Sequence, residues 1–480
     1  MFTDNSIAKT SPVLSAQVKA ARRMTLMGKG TLRSETESNP SLPLGFYVTK
    51  TDIDYDQFCQ DFTERVLLQP GFERLRCRVE NEDSFKPVSI NVHDHIFNVD
   101  FDDLEEMDDN TQLTDKERKL AAFLGNWTTE MFDRSKPLWQ IYLLKNYIDG
   151  KSVLAFKCHH CIGDGASISI LMTQLCDPKT DVKESLTMEP DTVHKTLGDN
   201  VMDEFTVFVR FIGAALFYIW GYLVFQVKYG LAFSTPELPT QLKNQLTGKR
   251  RVAWTNTIQV SDIKTIGKRL GGTVNDILMA ATAGALRRSL LESKVGEWND
   301  ANLKSLRLAC PVNVRGAGDY DINDIMHNMF GFVVTKSPID EPNRTRRLEI
   351  VTENMRAIKR TPEQRLAYES SKVLARFPPS IQKAVLKFTN GAISYISSNV
   401  QGPSTELYIS GAEVEYALGV VPPPPTVGLG VAIWSYNGTL RVSFSVDEGV
   451  KFNPWDLAAK VESEIAEYYQ TATAQDKKIQ

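Results

Sequence analysis

The segment that most restricts what this chain can become runs from Ser152 to Leu175. Residues 152–160 alternate as a strand, with Leu154, Phe156, Cys158 and His160 on one face. Beyond Gly163, Asp164 and Gly165, the apolar residues Ile168, Leu171, Met172 and Leu175 fall at i, i+3, i+4 and i+7, the spacing of an amphipathic helix. A strand that turns through two glycines into a helix belongs to an α/β fold. Strand-like and helix-like stretches alternate from Leu44 onward, with helical spacing over Tyr55–Leu68. Further on, Leu429–Tyr436 and Thr439–Val446 flank Asn437-Gly438, a dipeptide suited to the positive φ of a two-residue turn. This pattern predicts a β-hairpin.

The turn itself reads Cys158-His159-His160-Cys161-Ile162-Gly163-Asp164-Gly165. Four adjacent Cys and His residues suggest zinc, but strand alternation sends Cys158 and His160 one way and His159 and Cys161 the other. The four therefore do not converge on one ion, and no metal is expected. An imidazole titrates near neutrality and accepts a hydroxyl proton while that oxygen attacks a carbonyl, so the chemical reading is a general base. A packed pair of core histidines is the competing one. Asp164 is placed to orient the loop or the ring, and Gly163 and Gly165 are expected to allow a sharp turn with open space beside it. Six cysteines are too few for a disulfide framework in 480 residues, which favours a reducing, cytosol-facing setting.

With 55 Lys and Arg against 59 Asp and Glu, the net charge is −4, and no nucleic-acid partner is expected. A mean hydropathy of −0.25 argues against a polytopic membrane protein. That average hides one break. Phe205–Phe233 holds ten aromatic residues and two charges, Arg210 and Lys228, and Phe211–Val227 is 17 residues without a charge. The Pro- and Asp-bearing stretch before it and Lys249-Arg250-Arg251 after it read as connections. The expected division is a leader over 1–43, an N-terminal lobe over 44–195, a connecting segment over 196–251, a C-terminal lobe over 252–470 and a polar tail over 471–480. The leader carries no secretory signal, although Ala16–Met27 has the pattern of a short basic amphipathic helix.

His159-His160-x-x-x-Asp164-Gly165 resembles the HHxxxDG motif of the CoA-dependent acyltransferase superfamily. Upstream, Phe132-Asp133-Arg134-Ser135-Lys136-Pro137-Leu138-Trp139 resembles the D-x-S-x-P-L-W stretch of the bacterial and plant-type wax ester synthase/diacylglycerol acyltransferase (WS/DGAT) family. Gly272-Thr273-Val274-Asn275-Asp276-Ile277 is similar to that family's Asn-Asp motif. Pro311-Val312-Asn313-Val314-Arg315, Asn328-Met329-Phe330-Gly331, Ser398-Asn399-Val400-Gln401-Gly402-Pro403 and Ser435-Tyr436-Asn437-Gly438 follow in the expected order. The resemblance implies two chloramphenicol-acetyltransferase-like α/β lobes, with the active site and a channel at their interface. It implies His160 as the base, His159 packed on the opposite face, and Asp164 and Gly165 as parts of the same motif. The implied reaction is one acyl transfer from acyl-CoA to a long-chain fatty alcohol or a diacylglycerol, with no cofactor and no covalent enzyme intermediate.

Several residues carry two readings. Asn275 and Asp276 are candidates for contact with substrate or oxyanion, yet Thr273 and Asp276 also fit a helix-capping box. Asn313 and Arg315 are candidates for the lobe interface, the substrate or a pair with Asp164. Lys249-Arg250-Arg251 would attract CoA phosphates or serve as a solvated linker. The seven carboxylates of Asp100–Asp109 lack the glycine and final glutamate of an EF-hand and read as a solvated loop. His93-Asp94-His95 sets two histidines on one strand face and reads as structural.

If both lobes build one site, a single crossing through Phe211–Val227 would separate them, and the stretch is too short to cross and return. Its aromatic rings instead predict a helix lying in a membrane interface near the substrate entrance, with a helix buried between the lobes as the competing reading. The expected location is membrane-associated and cytosol-facing, on the endoplasmic reticulum or a lipid droplet in a eukaryotic cell. A condensation-type enzyme with another acyl donor is disfavoured because no carrier domain adjoins. An inactive lipid-binding or droplet protein is disfavoured because the histidine motif is intact.

Overall fold

The computed structural model describes residues 22–36, 39–104, 116–177, 204–234, 237, 239–243, 246–293, 298–316 and 323–474. In chain order come β1 (Arg22–Arg23), α1 (Leu26–Ser34), β2 (Leu44–Thr49), α2 (Tyr55–Phe62), β3 (Cys77–Glu80), β4 (Ser84–Pro87), β5 (Ile96–Asp100), α3 (Lys116–Trp127), β6 (Trp139–Lys145), β7 (Ser152–Cys158) and α4 (Gly165–Gln174). The long helix α5 (Glu204–Ser234) leads to β8 (Arg250–Trp254), β9 (Ile258–Gln259), α6 (Val260–Leu270), α7 (Val274–Leu291), β10 (Leu306–Asn313) and β11 (Phe330–Ser337). The rest is α8 (Arg344–Lys359), α9 (Glu363–Leu374), α10 (Pro379–Gly391), β12 (Tyr395–Gln401), β13 (Tyr408–Ile409), β14 (Ala412–Val420), β15 (Leu429–Tyr436), β16 (Thr439–Asp447) and α11 (Pro454–Ala474).

Two mixed sheets carry the two lobes. The N-terminal one has strand order β13-β14-β2-β7-β6-β5, and the C-terminal one β11-β10-β12-β15-β16-β8, with β9 also on β16. The lobes are not contiguous in sequence. Strand β14 lies within the span expected for the C-terminal lobe, but it pairs with β2, Val420 opposite Leu44. Its Val414, Ala417, Leu418 and Val420 are buried there, so the hydrophobic gain of closing the edge of β2 holds the exchange in place. In return, Val252 and Trp254 of β8 pack with Phe46, Leu120 and Leu124 of the N-terminal lobe, the Trp254 and Phe46 rings 5.5 Å apart and edge to face.

Local patterns form as their chemistry dictates. The hairpin of β15 and β16 turns on Asn437 (φ 43°) and Gly438 (φ 73°), with Tyr436 opposite Thr439. Helix α2 covers only the first part of the predicted Tyr55–Leu68 helix, and its last turn widens to a π-type turn over Thr63–Leu67. His93 sits in a 3₁₀ turn rather than a strand, its Nδ1 2.8 Å from Tyr55 Oη. His95 follows that turn and stacks on Trp139 with ring centres 4.5 Å apart. Both are structural. The second half of the carboxylate-rich stretch, most of the leader and the last six residues fall outside the described residues, as does the first half of Ala16–Met27, in whose second half Arg22 and Arg23 form β1 rather than a helix.

The aromatic stretch forms the single helix α5. It is fastened by one face near its C-terminal end: Phe225 and Tyr229 pack against Ala309, Val334, Ala367 and Ile396, and Gly221 abuts Pro362. Lys228, one of the two charges in the stretch, donates to buried Glu363 at 2.7 Å, and Tyr229 Oη donates to the same carboxylate at 2.9 Å. Leu216, Ile219, Trp220, Leu223, Val227 and Leu231 are exposed. Among the described residues, no helix is long and apolar enough to cross a membrane.

At Gly284, in the C-terminal core, a side chain would strike a buried ion pair. Arg347 and Glu464 pair at 2.8 Å, each with only 3% of its side chain exposed. A Cβ on Gly284 of α7 would stand 2.3 Å from both Arg347 Nη1 and Glu464 Oε2. Gly284→Ala must push the pair apart, so it should destabilise the protein by ~3 kcal/mol. Urea unfolding should show a lower midpoint at an unchanged slope.

Candidate active site

The strand β7 delivers its last residue, Cys158, to a loop pinned on every side. Cys158 N–H donates to Pro43 O, His159 N–H to Leu138 O at 2.9 Å and His160 N–H to Ser41 O at 2.9 Å. The loop ends at Asp164, which caps α4 by accepting from Ser167 N–H at 3.0 Å. Neither Gly163 nor Gly165 has a positive φ. Their small size serves packing instead: a Cβ on Gly163 would lie 2.9 Å from Ser167 Cβ, and one on Gly165 would lie 3.2 Å from Val400 Cγ2. The sharp turn expected of them is made without left-handed backbone.

Asp164 is buried and fully occupied. Arg315 reaches its Oδ2 at 2.9 Å, and Met329 N–H and Ser167 Oγ donate to it at 2.8 and 3.1 Å. Burial alone would raise its pKa, but the Arg315 guanidinium and these hydrogen bonds hold it below the ordinary carboxylate value. Asp164 is therefore a tie between lobes with no lone pair left for a substrate proton. Arg315 also donates to His327 O at 2.8 Å and to Asn313 Oδ1 at 3.1 Å.

The residue that orients His160 is Asn328, which is 1% exposed. Its Nδ2 donates to His160 O at 2.7 Å and Cys161 O at 3.4 Å, which fixes the amide so that Oδ1 faces His160 Nδ1 at 3.0 Å. An oxygen there accepts, so Nδ1 carries the ring proton and Nε2 keeps its lone pair. The ring of Phe330 lies 5.3 Å away, tilted by 41°. Burial holds the His160 pKa below its ordinary value, so the imidazole is neutral at pH 7. Asn328 stood in the sequence within a family-like block but had no role attached, because its partner lies 168 residues away.

His160 opens on a cavity of about 1140 Å³ walled by both lobes and by α1, α5, α9 and α10. Asp164, Gly165, Asn313 and Arg315 also border it. Asn275 and Asp276 do not. Asp276 completes a capping box: Thr273 N–H donates to it at 2.8 Å, and its own N–H donates to Thr273 Oγ1. Asn275 stands one hydrogen bond back from the cavity, accepting at 3.2 Å from Asn399, which lines it. His159 points away from His160 toward Glu35. All six cysteines are free and buried, and burial raises the Cys158 thiol well above its ordinary pKa, so it is no nucleophile. Among the described residues, no three His, Cys, Asp or Glu side chains are grouped to hold a metal. Arg250 and Arg251 are committed to protein partners, Arg250 to Asn39 and Pro40 O, and Arg251 to Val450 O and Phe452 O.

Asn328→Asp sets a carboxylate 3.0 Å from Nδ1, which favours the imidazolium. The acid limb of the pH–kcat/KM profile should therefore move to higher pH. Asn328→Ala should lower kcat roughly 10- to 100-fold by freeing the ring.

Residues 115–278 match the wax ester synthase/diacylglycerol acyltransferase catalytic domain, and residues 326–468 match the WS/DGAT C-terminal domain. The chain is 25% identical over 456 residues to wax ester synthase/diacylglycerol acyltransferase 6 of Arabidopsis thaliana, covering 85% of this chain and 86% of that protein. In fold it is similar to the wax ester synthase/diacylglycerol acyltransferase from Marinobacter aquaeolei VT8, at 18% identity and a TM-score of 0.62 over 94% of this chain and all of that one. It is also similar to a variant of the starter condensation domain of rhizomide synthetase solved with C8-CoA, at 12% identity and a TM-score of 0.56 over 94% of this chain and 95% of that one. With two lobes meeting at HHxxxDG and both domain models matched in order, the chain belongs to the WS/DGAT family.

Proposed function

We propose that the protein transfers a fatty acyl group from acyl-CoA to the hydroxyl of a fatty alcohol or a diacylglycerol, with His160 as general base. The observation that carries this reading is a neutral imidazole whose Nδ1–H is held by Asn328 and which borders a large cavity between the lobes. The acceptor O–H donates to His160 Nε2, and its oxygen attacks the thioester carbon as Nε2 takes the proton. The carbonyl oxygen bears the negative charge of the tetrahedral intermediate. Its collapse breaks the C–S bond, and the leaving thiolate takes the proton back from Nε2, giving ester and CoA thiol. Every atom is accounted for without a cofactor.

The location follows from the substrates, which partition into lipid. We read the outer face of α5 as a docking face for a membrane or droplet surface on the cytosolic side. Support comes from the exposed Trp220, Leu223 and Val227, and from Phe377, Ile381 and Phe388 at the start of and along α10. Phe388 also lines the cavity, so the apolar surface continues inward to the site. Lys383 and Lys387 are exposed on α10, whose sequence holds no carboxylate. An apolar face edged with lysine suits an interfacial helix.

His160→Ala should abolish ester formation from acyl-CoA with either acceptor while circular dichroism stays unchanged; retained turnover would remove the base from this mechanism. Because only neutral His160 accepts a proton and its pKa is depressed, the acid limb of kcat/KM should lie below pH 6.5. Trp220→Glu with Leu223→Glu should cut co-sedimentation with lipid vesicles while turnover of detergent-dispersed substrate is kept.

A further inference from the structure

Glu35 follows α1, the helix whose Met27, Gly30, Thr31 and Ser34 form one wall of the cavity. Its side chain is 3% exposed and joins two distant blocks: Oε2 lies 2.9 Å from His159 Nε2, and Oε1 lies 2.6 Å from Arg134 Nη2. On the far side of the His159 ring, Cys161 N–H donates to Nδ1 at 3.0 Å. A nitrogen that accepts carries no proton, so Nε2 bears it and donates to Glu35. Burial opposes a charge on His159, while the Cys161 and Glu35 side chains favour the imidazolium and push its pKa up to about 10, but a second proton on Nδ1 would set donor against donor at the Cys161 amide, and that geometry keeps the ring neutral. Burial would raise the Glu35 pKa, but His159 and Arg134 hold it below the ordinary value, so it remains a carboxylate at neutral pH.

His159 thus acts as a strut with a carboxylate at one end and a backbone amide at the other. The amide it grips belongs to the residue after His160.

We propose that Glu35 is a positioning residue for acyl transfer, fixing the His159 tautomer that holds the His160 turn, with Arg134 steadying the carboxylate. This rests on His160 as the base. Glu35→Ala should lower kcat roughly 10- to 100-fold, the loss expected for a ring left to wander. The KM values for acyl-CoA and acceptor should stay within about twofold. Glu35→Gln, which keeps an accepting oxygen, should retain part of kcat. The double variant Glu35→Ala/His159→Ala should lose no more than His159→Ala alone, as for two groups acting through one chain. In ¹⁵N-histidine spectra, the Nε2–H signature of His159 should be present in the unaltered protein and lost in Glu35→Ala.

An unchanged kcat in Glu35→Ala, a loss confined to KM, additive losses in the double variant, or an unaltered His159 tautomer would each overturn the proposal. If Glu35→Ala does not fold, Glu35→Met, which removes both accepting oxygens at similar volume, carries the same spectrum and the same kcat test. Turnover retained by His160→Ala would count against the base itself and leaves the Glu35 spectrum to be judged on its own.

Discussion

The buried pair of Asp164 and Arg315 is the interaction on which the rest of the site depends. Asp164 begins α4 in one lobe, and Arg315 follows β10 in the other. Taking two charges out of water costs several kcal/mol per ion, and the cost is offset only when the remaining donors and acceptors are filled. Here they are: the carboxylate accepts from Ser167 and Met329, and the guanidinium donates to His327 O and Asn313. The pair therefore works as a lock whose geometry is set by hydrogen bonds more than by charge. Through the Met329 amide it also brings the segment carrying Asn328 against the loop carrying His160. The acid of the motif thereby serves the base indirectly, by holding its partner in place.

What could be read from the sequence was what neighbouring residues settle among themselves. The hairpin at Asn437-Gly438, the helix after Gly165 and the capping box of Thr273 and Asp276 depend on contacts a few residues apart, and each formed as its pattern dictates. The spacing of Phe211–Val227 likewise gave one helix. The misses are non-local. Strand β14 joins the other lobe's sheet because β2 offers an edge, which no periodicity within β14 reveals. Asn328 and Glu35 find the two histidines across 168 and 124 residues. Gly165 was legible as a glycine but not as a packing glycine, since the atom crowding it, Val400 Cγ2, arrives from the opposite lobe, while Gly163 is crowded both by Ser167, four residues on, and by the distant Met326.

Helix α5 shows why a whole-chain average says little about a surface. A mean hydropathy of −0.25 is compatible with one helix that leaves Leu216, Trp220, Leu223 and Val227 exposed while Phe225 and Tyr229 are buried. An apolar helix with no preferred side would slide or rotate on its support. The Lys228–Glu363 contact, reinforced by Tyr229, gives it a fixed rotation. One half-buried charge thus decides which residues face outward, and the outward set is the one proposed to meet lipid. Because Phe225 and Tyr229 line the cavity on the inner side, the same rotation shapes the cavity wall.

The two adjacent histidines settle opposite duties by opposite tautomers. His159 accepts at Nδ1 from Cys161 N–H, so its proton sits on Nε2 and goes to Glu35. His160 is paired at Nδ1 with an amide oxygen, so its proton sits there and Nε2 keeps the lone pair. Neither assignment comes from the imidazole itself, whose two neutral forms are close in energy; each comes from the ring's fixed partners, the Cys161 amide and Glu35 for His159 and the Asn328 amide for His160. Strand alternation makes the division possible, since residues next to each other leave β7 toward different surroundings. One surrounding is closed, with an ion pair behind it, and spends its histidine on holding the turn. The other opens on the cavity and leaves a nitrogen free for chemistry. A substitution that swapped either partner for a group of the opposite hydrogen-bonding sense would therefore change a tautomer first and a position second.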